Sequence, residues 1–339
     1  MKTPILTISV ILYTLVGMFA CQNSDINESY EIKAIGYGTE SDEKNYPYVK
    51  SAAIYRNGLK NKAISYFEIT NPTGPCIKLL NCSNITIRYC KLGPSKNEGV
   101  ILYNCKNITI IYNTMEGIST GVYAVKSTGV RITYNDIKNV KGPFPRGQGV
   151  QFDEVNGIEN IISFNTFENI TGQSNPEDAI SLYNSNGVQT EPIEVIGNRI
   201  RGGGPSNSGG GIMAGDNGGS YIFIEGNILV NPGQYGISVA SGYQITISNN
   251  KIFSQKFPFS NVGLVAWNQY AHKSYSNTIE NNEVNFTNMH GVLNNLWNAG
   301  NMGEVIGWNT NSYNLHLTDS ILPLIIIGNA HKRASEIKK

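Results

Sequence analysis

Four carboxylates lie next to successive apolar segments in the middle of the chain. Glu177 and Asp178 are adjacent and precede an apolar segment, while Asp153 ends the apolar segment before it and Asp216 follows the next one. Hydrolysis of a glycosidic bond requires a protonated carboxyl and an ionised carboxylate, and crowded like charges raise the pKa of one partner. We therefore take Glu177 or Asp178 as the candidate acid and Asp153 or Asp216 as the candidate base, with Asp178 the leading residue. The alternative is that Glu177 and Asp178 bind backbone N–H groups of their own loop.

Side chains suited to binding a sugar occur in the same segments. Amides and hydroxyls can exchange hydrogen bonds with sugar hydroxyls, and flat aromatic rings can stack on pyranose faces. The candidate substrate-binding residues are Arg146, Gln148, Gln151, Ser181, Tyr183, Arg201, Gln234, Tyr235 and Trp267. Their types favour a polysaccharide as the partner of this protein.

β-Elimination on a uronate polymer is a second enzymatic interpretation. It needs a base and a positive charge beside the substrate carboxylate, which Arg146 or Arg201 could supply. Ca²⁺ could also supply that charge, since Asp153, Asp178 and Asp216 offer the oxygen ligands that calcium prefers. The sequence requires no cofactor, and the metal is left open. The alternatives without catalysis are a glycan-binding surface protein and a structural or adhesive scaffold.

The histidines are far from this region in sequence. They are His272, His290, His316 and His331. A mechanism that depends on histidine is therefore not expected at the candidate site.

Overall charge excludes one class of partner. Lys and Arg number 26 against 25 Asp and Glu, which leaves a formal net charge of +1. Nucleic-acid binding needs a basic surface to neutralise phosphates, so no nucleic-acid partner is expected.

Residues 1–20 have the form of an export signal. Lys2 precedes an apolar run from Ile5 to Ala20 that is too short for a stop-transfer helix, and Cys21 with polar residues follows. The segment that ends at Cys21 resembles a bacterial lipoprotein box, which implies lipidation at Cys21 and a membrane contact through that lipid alone. Ordinary cleaved secretion and a plain membrane anchor are the alternatives. We expect an exported protein, anchored at the cell envelope or surface or otherwise secreted.

The remaining cysteines are Cys76, Cys82, Cys90 and Cys105. Their spacing lacks the paired form and the nearby histidines of a zinc site. We expect small buried apolar residues, with a disulfide as the alternative in an exported protein.

Internal repeats predict the architecture. The segment 81–87 recurs at 104–110, and an apolar residue followed three positions later by asparagine recurs along the chain. The repeated asparagines are Asn113, Asn135, Asn165, Asn198, Asn227, Asn250, Asn282 and Asn309. Units of this length hold short alternating strands and cannot bury their apolar faces alone, whereas stacked units bury like residues on like. We predict a parallel β-helix of about nine coils with a hydrogen-bonded asparagine ladder at one turn.

A second register marks the start of one strand in each unit. It consists of a glycine followed by alternating apolar residues, at Gly99, Gly121, Gly149, Gly211, Gly236, Gly263 and Gly291. Alternation directs Val150, Phe152, Ile180, Leu182 and Ile212 inward, and Gln151, Asp153, Ser181, Tyr183 and Met213 outward. Between the turn asparagine and this position, three consecutive repeats carry longer loops, 141–148, 171–178 and 202–210. We expect these loops to wall one common face that carries function.

The repeat over residues 76–309 resembles the right-handed, pectin-lyase-like β-helix superfamily, which implies an all-β, single-stranded, right-handed solenoid. One segment, 177–180, also resembles the paired-acid motif of polygalacturonase-type glycoside hydrolases. The departures from that family are Gly210 where it has histidine and Gln148 where it has an acid. The resemblance implies carboxylate hydrolysis, with a catalytic set that is only partly present.

The resulting layout has four parts. Residues 1–20 form the signal segment, 21–75 an N-terminal segment with the first coil and cap, 76–309 the β-helix, and 310–339 the C-terminal cap and tail. Within the ends, 64–69 and 321–327 are predicted strands.

Overall fold

The computed structural model describes residues 47–142, 147–270, 272–314 and 316–328. All of these belong to one compact unit that spans residues 34–339. The predicted signal segment and Cys21 lie outside the described residues, so lipidation and export stay predictions. In the described ranges, no helix is long and apolar enough to cross a membrane.

The described chain winds through three strand columns, and each circuit forms one rung. Every ladder between these strands is parallel, and like residues face each other in successive rungs, as when Ile87 pairs with Ile110 and Ile110 with Ile132. The third column alone contains 11 strands, slightly more than the predicted nine coils. The predicted parallel β-helix is therefore confirmed.

The strand bounds follow the three columns. The first column contains Ile54–Asn57, Ile77–Leu80, Glu98–Tyr103, Thr120–Val125, Val150–Asp153, Ile180–Asn186, the start of Ile212–Glu225, Tyr235–Val239, Val262–Ala266 and Leu296–Asn298. The second contains Lys60–Ser65, Ser83–Arg88, Lys106–Ile111, Thr128–Thr133, Ile161–Ser163, Ile193–Ile196, the end of Ile212–Glu225, Gly242–Ser248, Ser274–Tyr275, Asn277–Glu280 and Val305–Ile306. The third contains Val49–Ser51, Phe67–Asn71, Lys91–Ser95, Thr114–Glu116, Asp136–Lys138, Thr166–Glu168, Arg199–Arg201, Ile228–Val230, Lys251–Ser254, Glu283–Phe286 and Ser312–Tyr313. Short 3₁₀ helices span Trp308–Thr310 and Asp319–Ile321.

The core lies inside the three columns and is filled by the alternating apolar residues. Val150, Phe152, Ile180, Leu182 and Ile212 are all fully buried, as alternation predicted. Burial of these aliphatic columns is the main stabilising contribution, because each methylene removed from water contributes about 0.8 kcal/mol.

The corner between the second and third columns, here the second corner, carries the asparagine ladder. Each amide nitrogen donates to the amide oxygen of the next rung, from Asn113 to Asn135 at 3.0 Å and onward to Asn282. The same amides also bond backbone groups, as Asn165 does to the carbonyl of Ile132 at 2.8 Å. Buried turn groups thus find partners in every rung, which is what a solenoid interior requires.

Aromatic rings form a second ladder at the same corner. Tyr66, Tyr89, Tyr112, Tyr134 and Phe164 stack with ring centroids 5.2 to 5.6 Å apart. Their residues have φ between 50° and 63°, which places them in the left-handed region at the turn. The sequence interpretation missed this row, although an aromatic residue stands directly before the turn residue in these units.

The four cysteines among the described residues, Cys76, Cys82, Cys90 and Cys105, are buried free thiols, as the simpler interpretation predicted. Burial raises the pKa of the Cys90 thiol to about 12. Cys90 occupies the ladder position one rung before Asn113, whose amide oxygen accepts its backbone N–H at 2.9 Å.

Near the C-terminal end the repeat register shifts. Leu264 pairs with Leu296, so the position after Gly263 falls after Asn295 and not after the predicted Gly291. The ladder there ends on Asn311, which accepts from Asn282 at 2.7 Å, and not on the predicted Asn309. A local antiparallel bridge between Thr287 and Leu293 lengthens this loop and displaces the strand.

Two predicted strands are wrong in detail. Residues 64–69 divide between two strands at Tyr66, whose φ of 63° turns the corner. Residues 321–327 form no strand; Leu322 and Ile326 instead pack with Val230 on the outside of the third column.

Candidate functional site

Three successive rungs of the first column present the candidate groups at one outward position. Asp153 pairs in register with Tyr183, and Tyr183 with Asp216. Two rungs separate the aspartate Cα atoms by about 9.6 Å, since neighbouring strands lie about 4.8 Å apart. The register therefore places Tyr183 between the two aspartates, with a strand irregularity on either side of the Tyr183–Asp216 pair.

Each of these two carboxylates binds a tyrosine hydroxyl. Tyr123 donates to Oδ2 of Asp153 at 2.5 Å, and Tyr270 donates to Oδ1 of Asp216. Burial raises the pKa of Asp216, the Tyr270 bond opposes that rise, and the charge of Asp153 adds to it. Both aspartates remain half-exposed. The two carboxylates thus differ in environment while facing the same surface.

Asp178 lies at the start of the same face but beneath it. Only 6% of the residue is exposed, and Oδ1 accepts the Tyr235 hydroxyl and the Gly210 N–H, the latter at 2.9 Å. Burial raises the pKa of Asp178 to about 8, with the charges of Glu177 and Asp216 adding to the rise and both hydrogen bonds opposing it. Asp178 is therefore protonated at neutral pH.

Glu177 binds the loop 202–210, which follows the third-column strand Arg199–Arg201. Ser206 donates to Oε2 at 2.6 Å and Ser208 to Oε1 at 2.5 Å, so the hydroxyls occupy both carboxylate oxygens. Gly209 lies so close that a Cβ there would stand 2.1 Å from the carbonyl oxygen of Glu177. Glu177 therefore has a role in holding a loop, but through serine hydroxyls of the next long loop and not through the backbone N–H groups of its own loop that were expected.

The corner between the third column and the next first column, here the third corner, carries the long loops, as predicted. Loops 171–178 and 202–210 both lie there, and so does the described part of 141–148. Gly210, which replaces the histidine of the hydrolase motif, packs on Tyr235, where a Cβ would approach the carbonyl oxygen to 2.5 Å. A larger side chain at Gly210 would displace the ring that binds Asp178.

Several predicted substrate-binding residues are covered. Gln148, Gln151 and Ser181 are at most 4% exposed. The Gln148 amide oxygen accepts the N–H of Gly147 at 2.9 Å. These three predicted contacts are therefore buried.

Arg201 is wrongly placed by the sequence interpretation. It lies in the third column, and its guanidinium donates to the carbonyls of Asp319 and Leu322 at 2.5 Å each. Arg201 points outward from its third-column strand, away from the first column. Its guanidinium therefore holds the C-terminal segment in place. Arg146 lies outside the described residues.

The other predicted contacts divide between surface and interior. Trp267 is 40% exposed and meets Trp297, 43% exposed, with ring centroids 5.5 Å apart. Tyr183 accepts a hydrogen bond from the Asn217 amide at 2.8 Å. Gln234 is half-buried, and Tyr235 is fully enclosed against Asp178.

His272 lies near the candidate site although it is far from it in sequence. Its Nε2 lies 3.0 Å from Oδ1 of Asn217, directly beside Asp216. The segment that follows Val262–Ala266 supplies both Tyr270 and His272 to this face. Loops after successive strands of one column share a corner, so the repeat register could have found them.

The structure gives little support for a metal site at the predicted acidic residues. Across 47–142, 147–270, 272–314 and 316–328, no three histidine, cysteine or acidic side chains converge in a way that could hold a metal ion. Calcium at Asp153, Asp178 and Asp216 stays an untested prediction, and the mechanism below uses none.

Comparison with known proteins places the fold. Residues 52–204 match the family described as the right-handed β-helix region. The molecule is a right-handed parallel β-helix. No curated protein sequence matches the chain significantly.

Solved structures with a similar fold include carbohydrate-active proteins. A GH87 α-1,3-glucanase catalytic domain in complex with tetrasaccharides has 12% identity and a TM-score of 0.48, over 79% of this chain and 60% of that chain. The same kind of domain with nigerose has 12% identity and a TM-score of 0.38, over 79% of this chain and 64% of that chain. The A-module of the Azotobacter vinelandii mannuronan C-5 epimerase has 12% identity and a TM-score of 0.31, over 79% of this chain and 86% of that chain. The chain spans less than two thirds of the glucanase domains, and these likenesses concern the fold alone.

Proposed function

We propose that this protein binds a polysaccharide on the outward face of the first column and hydrolyses its glycosidic bonds. The observation that carries the proposal is the stack of Asp153, Tyr183 and Asp216 in successive rungs, with a tyrosine hydroxyl on each carboxylate. A polymer can lie along such a stiff, repetitive face, and two carboxylates in unlike environments can divide the acid and base roles.

Asp216 is the proposed proton donor. Its raised pKa keeps a fraction of the carboxyl protonated at higher pH than an ordinary aspartate, and its half-exposed position lets it reach a leaving oxygen. Tyr270 orients the carboxyl by its bond to Oδ1. In the first step the proton of Asp216 passes to the glycosidic oxygen as the bond to the anomeric carbon breaks.

Asp153 is the proposed base. It accepts a proton from a water molecule that attacks the anomeric carbon from the opposite side. Asp153 and Asp216 lie on one face two rungs apart, with their Cα atoms about 9.6 Å from each other. In glycosidases that invert configuration the carboxyl groups themselves lie about 6.5–9.5 Å apart with water between them, and we assign these two carboxylates that arrangement. Asp178, the leading sequence candidate, lies under this face and is bonded into the loops, so it is assigned no proton transfer to substrate.

β-Elimination is the second candidate reaction, and the position of Arg201 counts against it. It required a cation beside the substrate carboxylate, and Arg201 is engaged by backbone carbonyls on another column. The alternative without catalysis is that the protein binds a polysaccharide and does not cleave it.

The test is incubation of the purified protein with a panel of neutral and uronate polysaccharides. New reducing ends without the absorbance of unsaturated uronate would support hydrolysis. That absorbance would instead show elimination. Binding with neither product would overturn the enzymatic proposal.

A further inference from the structure

The corner between the first and second columns, here the first corner, carries a continuous row of polar residues in the left-handed conformation. Asn104, Lys126, Glu154, Asn184 and Asn217 occupy equivalent positions in successive rungs, with φ between 42° and 55°. Each directly follows a first-column position, so Glu154 adjoins Asp153 and Asn217 adjoins Asp216. The row thus runs along the helix axis immediately beside the proposed catalytic pair.

Two open grooves follow this row. The first, about 340 Å³, is lined among others by Asn104, Lys106, Thr128, Glu154 and Asn156. Lys106 is exposed, and Lys126 on the same groove pairs with Glu154 at 3.7 Å. Its lining therefore offers amide, hydroxyl and ammonium groups, which match the hydroxyl-rich surface of a sugar chain.

The second groove, about 220 Å³, is lined among others by Asn184, Asn217, Tyr243, His272 and Lys273. It joins Tyr243 to amide, imidazole and ammonium groups, which can exchange hydrogen bonds with sugar hydroxyls. His272 and Asn217 are already joined at 3.0 Å, so this wall is pre-organised.

The grooves lie end to end. Rungs follow chain order, so the first groove lies toward the N-terminal end and the second toward the C-terminal end. Glu154 of the first groove and Asn184 of the second lie on neighbouring rungs, and the Asn186 amide there donates to Asn156 at 2.8 Å. From Asn104 to Asn217 the row climbs four rungs, about 19 Å.

We infer that the two grooves form one binding track for a polysaccharide chain and that the protein cuts internal bonds of that chain. This inference rests on the proposed function. Asp153 and Asp216 flank the junction of the grooves, so a bound chain places sugar units on both sides of the scissile bond. An enzyme that acts on chain ends needs one side closed, whereas here a lined groove continues in both directions.

The first measurement is the size of the products from any polymer of the panel that is cut. Long fragments and an early fall in viscosity are expected. Release of one short oligosaccharide from the outset would overturn internal cleavage and leave the proposed hydrolysis standing.

The second measurement is binding, which does not depend on turnover. The Asp216→Asn protein is titrated with an oligosaccharide series, from disaccharide to octasaccharide, prepared from each polymer of the panel. Affinity is expected to rise with length until the chain fills both grooves. Affinity that stops rising at the disaccharide, or the absence of binding by every series, would overturn the track.

Groove variants locate the binding. In the Asp216→Asn background, Lys106→Ala and Lys273→Ala each remove an exposed group from one groove, and each is expected to weaken octasaccharide binding roughly tenfold, as loss of one charge-assisted hydrogen bond does. The matched control is Lys62→Ala, an exposed lysine of the second column outside both grooves. Equal affinity in all three proteins would overturn the track. Length-dependent binding with no cleavage of any polymer by the native protein would retain the track and reject both hydrolysis and internal cleavage.

Discussion

Asp153 and Asp216 face the same side of the first column, two rungs apart, with Tyr183 in register between them. The arrangement follows from stacking, because equivalent positions of successive rungs must share a face. Burial raises the pKa of Asp216, and Tyr270 from a later rung binds its carboxyl. The raised pKa of Asp216 underlies its proposed role as proton donor.

Asp216→Asn removes the proposed proton donor with little change in shape. Cleavage of the susceptible polymer is expected to fall by about 10² to 10⁴, the usual contribution of general acid catalysis. Asp153→Asn is expected to lose a comparable factor. The measurement is the initial rate of reducing-end release at saturating polymer.

Glu194→Gln is the matched control for those two variants. Glu194 is a half-exposed acid that faces outward from the second column, away from the catalytic pair. Its loss is expected to leave the rate unchanged. A rate in Asp216→Asn equal to that of Glu194→Gln would reject the assignment of Asp216.

Asp178→Asn tests the buried carboxyl through stability. The folded-state pKa of about 8 lies above the ordinary value of 3.8, so the contribution of Asp178 to stability is complete below about pH 4 and is lost as the pH rises through about 8. Native protein is therefore expected to lose Tm progressively between about pH 4 and pH 8, and Asp178→Asn to lose less. Thermal unfolding measured across that pH range tests this expectation. Parallel curves of Tm against pH for the two proteins would contradict the raised pKa of Asp178.

The same variant separates burial from catalysis. An asparagine can keep the bonds from Tyr235 and Gly210, and at neutral pH it replaces a carboxyl that is already neutral. Asp178→Asn is therefore expected to retain cleavage near neutral pH. Abolished cleavage with an unchanged Tm would instead return the proton-donor role to Asp178.

Asn165→Ala breaks the ladder in its middle. Asn165 is fully buried and bonds the Ile132 carbonyl, the Asn198 amide and the Asn135 backbone N–H. Leaving such groups without partners costs about 1–3 kcal/mol each, so the free energy of unfolding is expected to fall by at least about 2 kcal/mol. Urea unfolding measures it. The control is Asn261→Ala, an exposed asparagine on a loop, which is expected to change little.

Trp297→Ala tests the aromatic surface beyond the grooves. Its exposed ring beside Trp267 can stack on a sugar face, and loss of such a contact is worth about 1 kcal/mol, or roughly fivefold in affinity. Binding of the Asp216→Asn protein to the polymer is measured with and without this change. Tyr313→Ala, equally exposed at 43% but on the third column, serves as control. Equal effects of the two variants would show that the tryptophan pair does not bind the chain.

Much of the fold could be predicted because its information is local. A strand residue such as Phe152 alternates with its neighbours, and an asparagine such as Asn165 returns once per rung, so both patterns are visible without long-range contacts. Where the rung length changed, the periodic argument failed: after Phe286 it selected Gly291 where Asn295 precedes the strand, and at the next asparagine turn it selected Asn309 where Asn311 forms the bond.

The sequence by itself determined the stacked rungs, the inward and outward faces, and the corner from which the long loops emerge. Those properties depend on strand periodicity and on like residues packing in register. Only the tertiary structure decided which outward groups stay accessible. Gln151 and Asp178 are buried, a distant segment brings Tyr270 to Asp216 and His272 to Asn217, and the C-terminal segment engages Arg201. Accessibility depends on contacts between residues far apart in the chain, which no local pattern encodes.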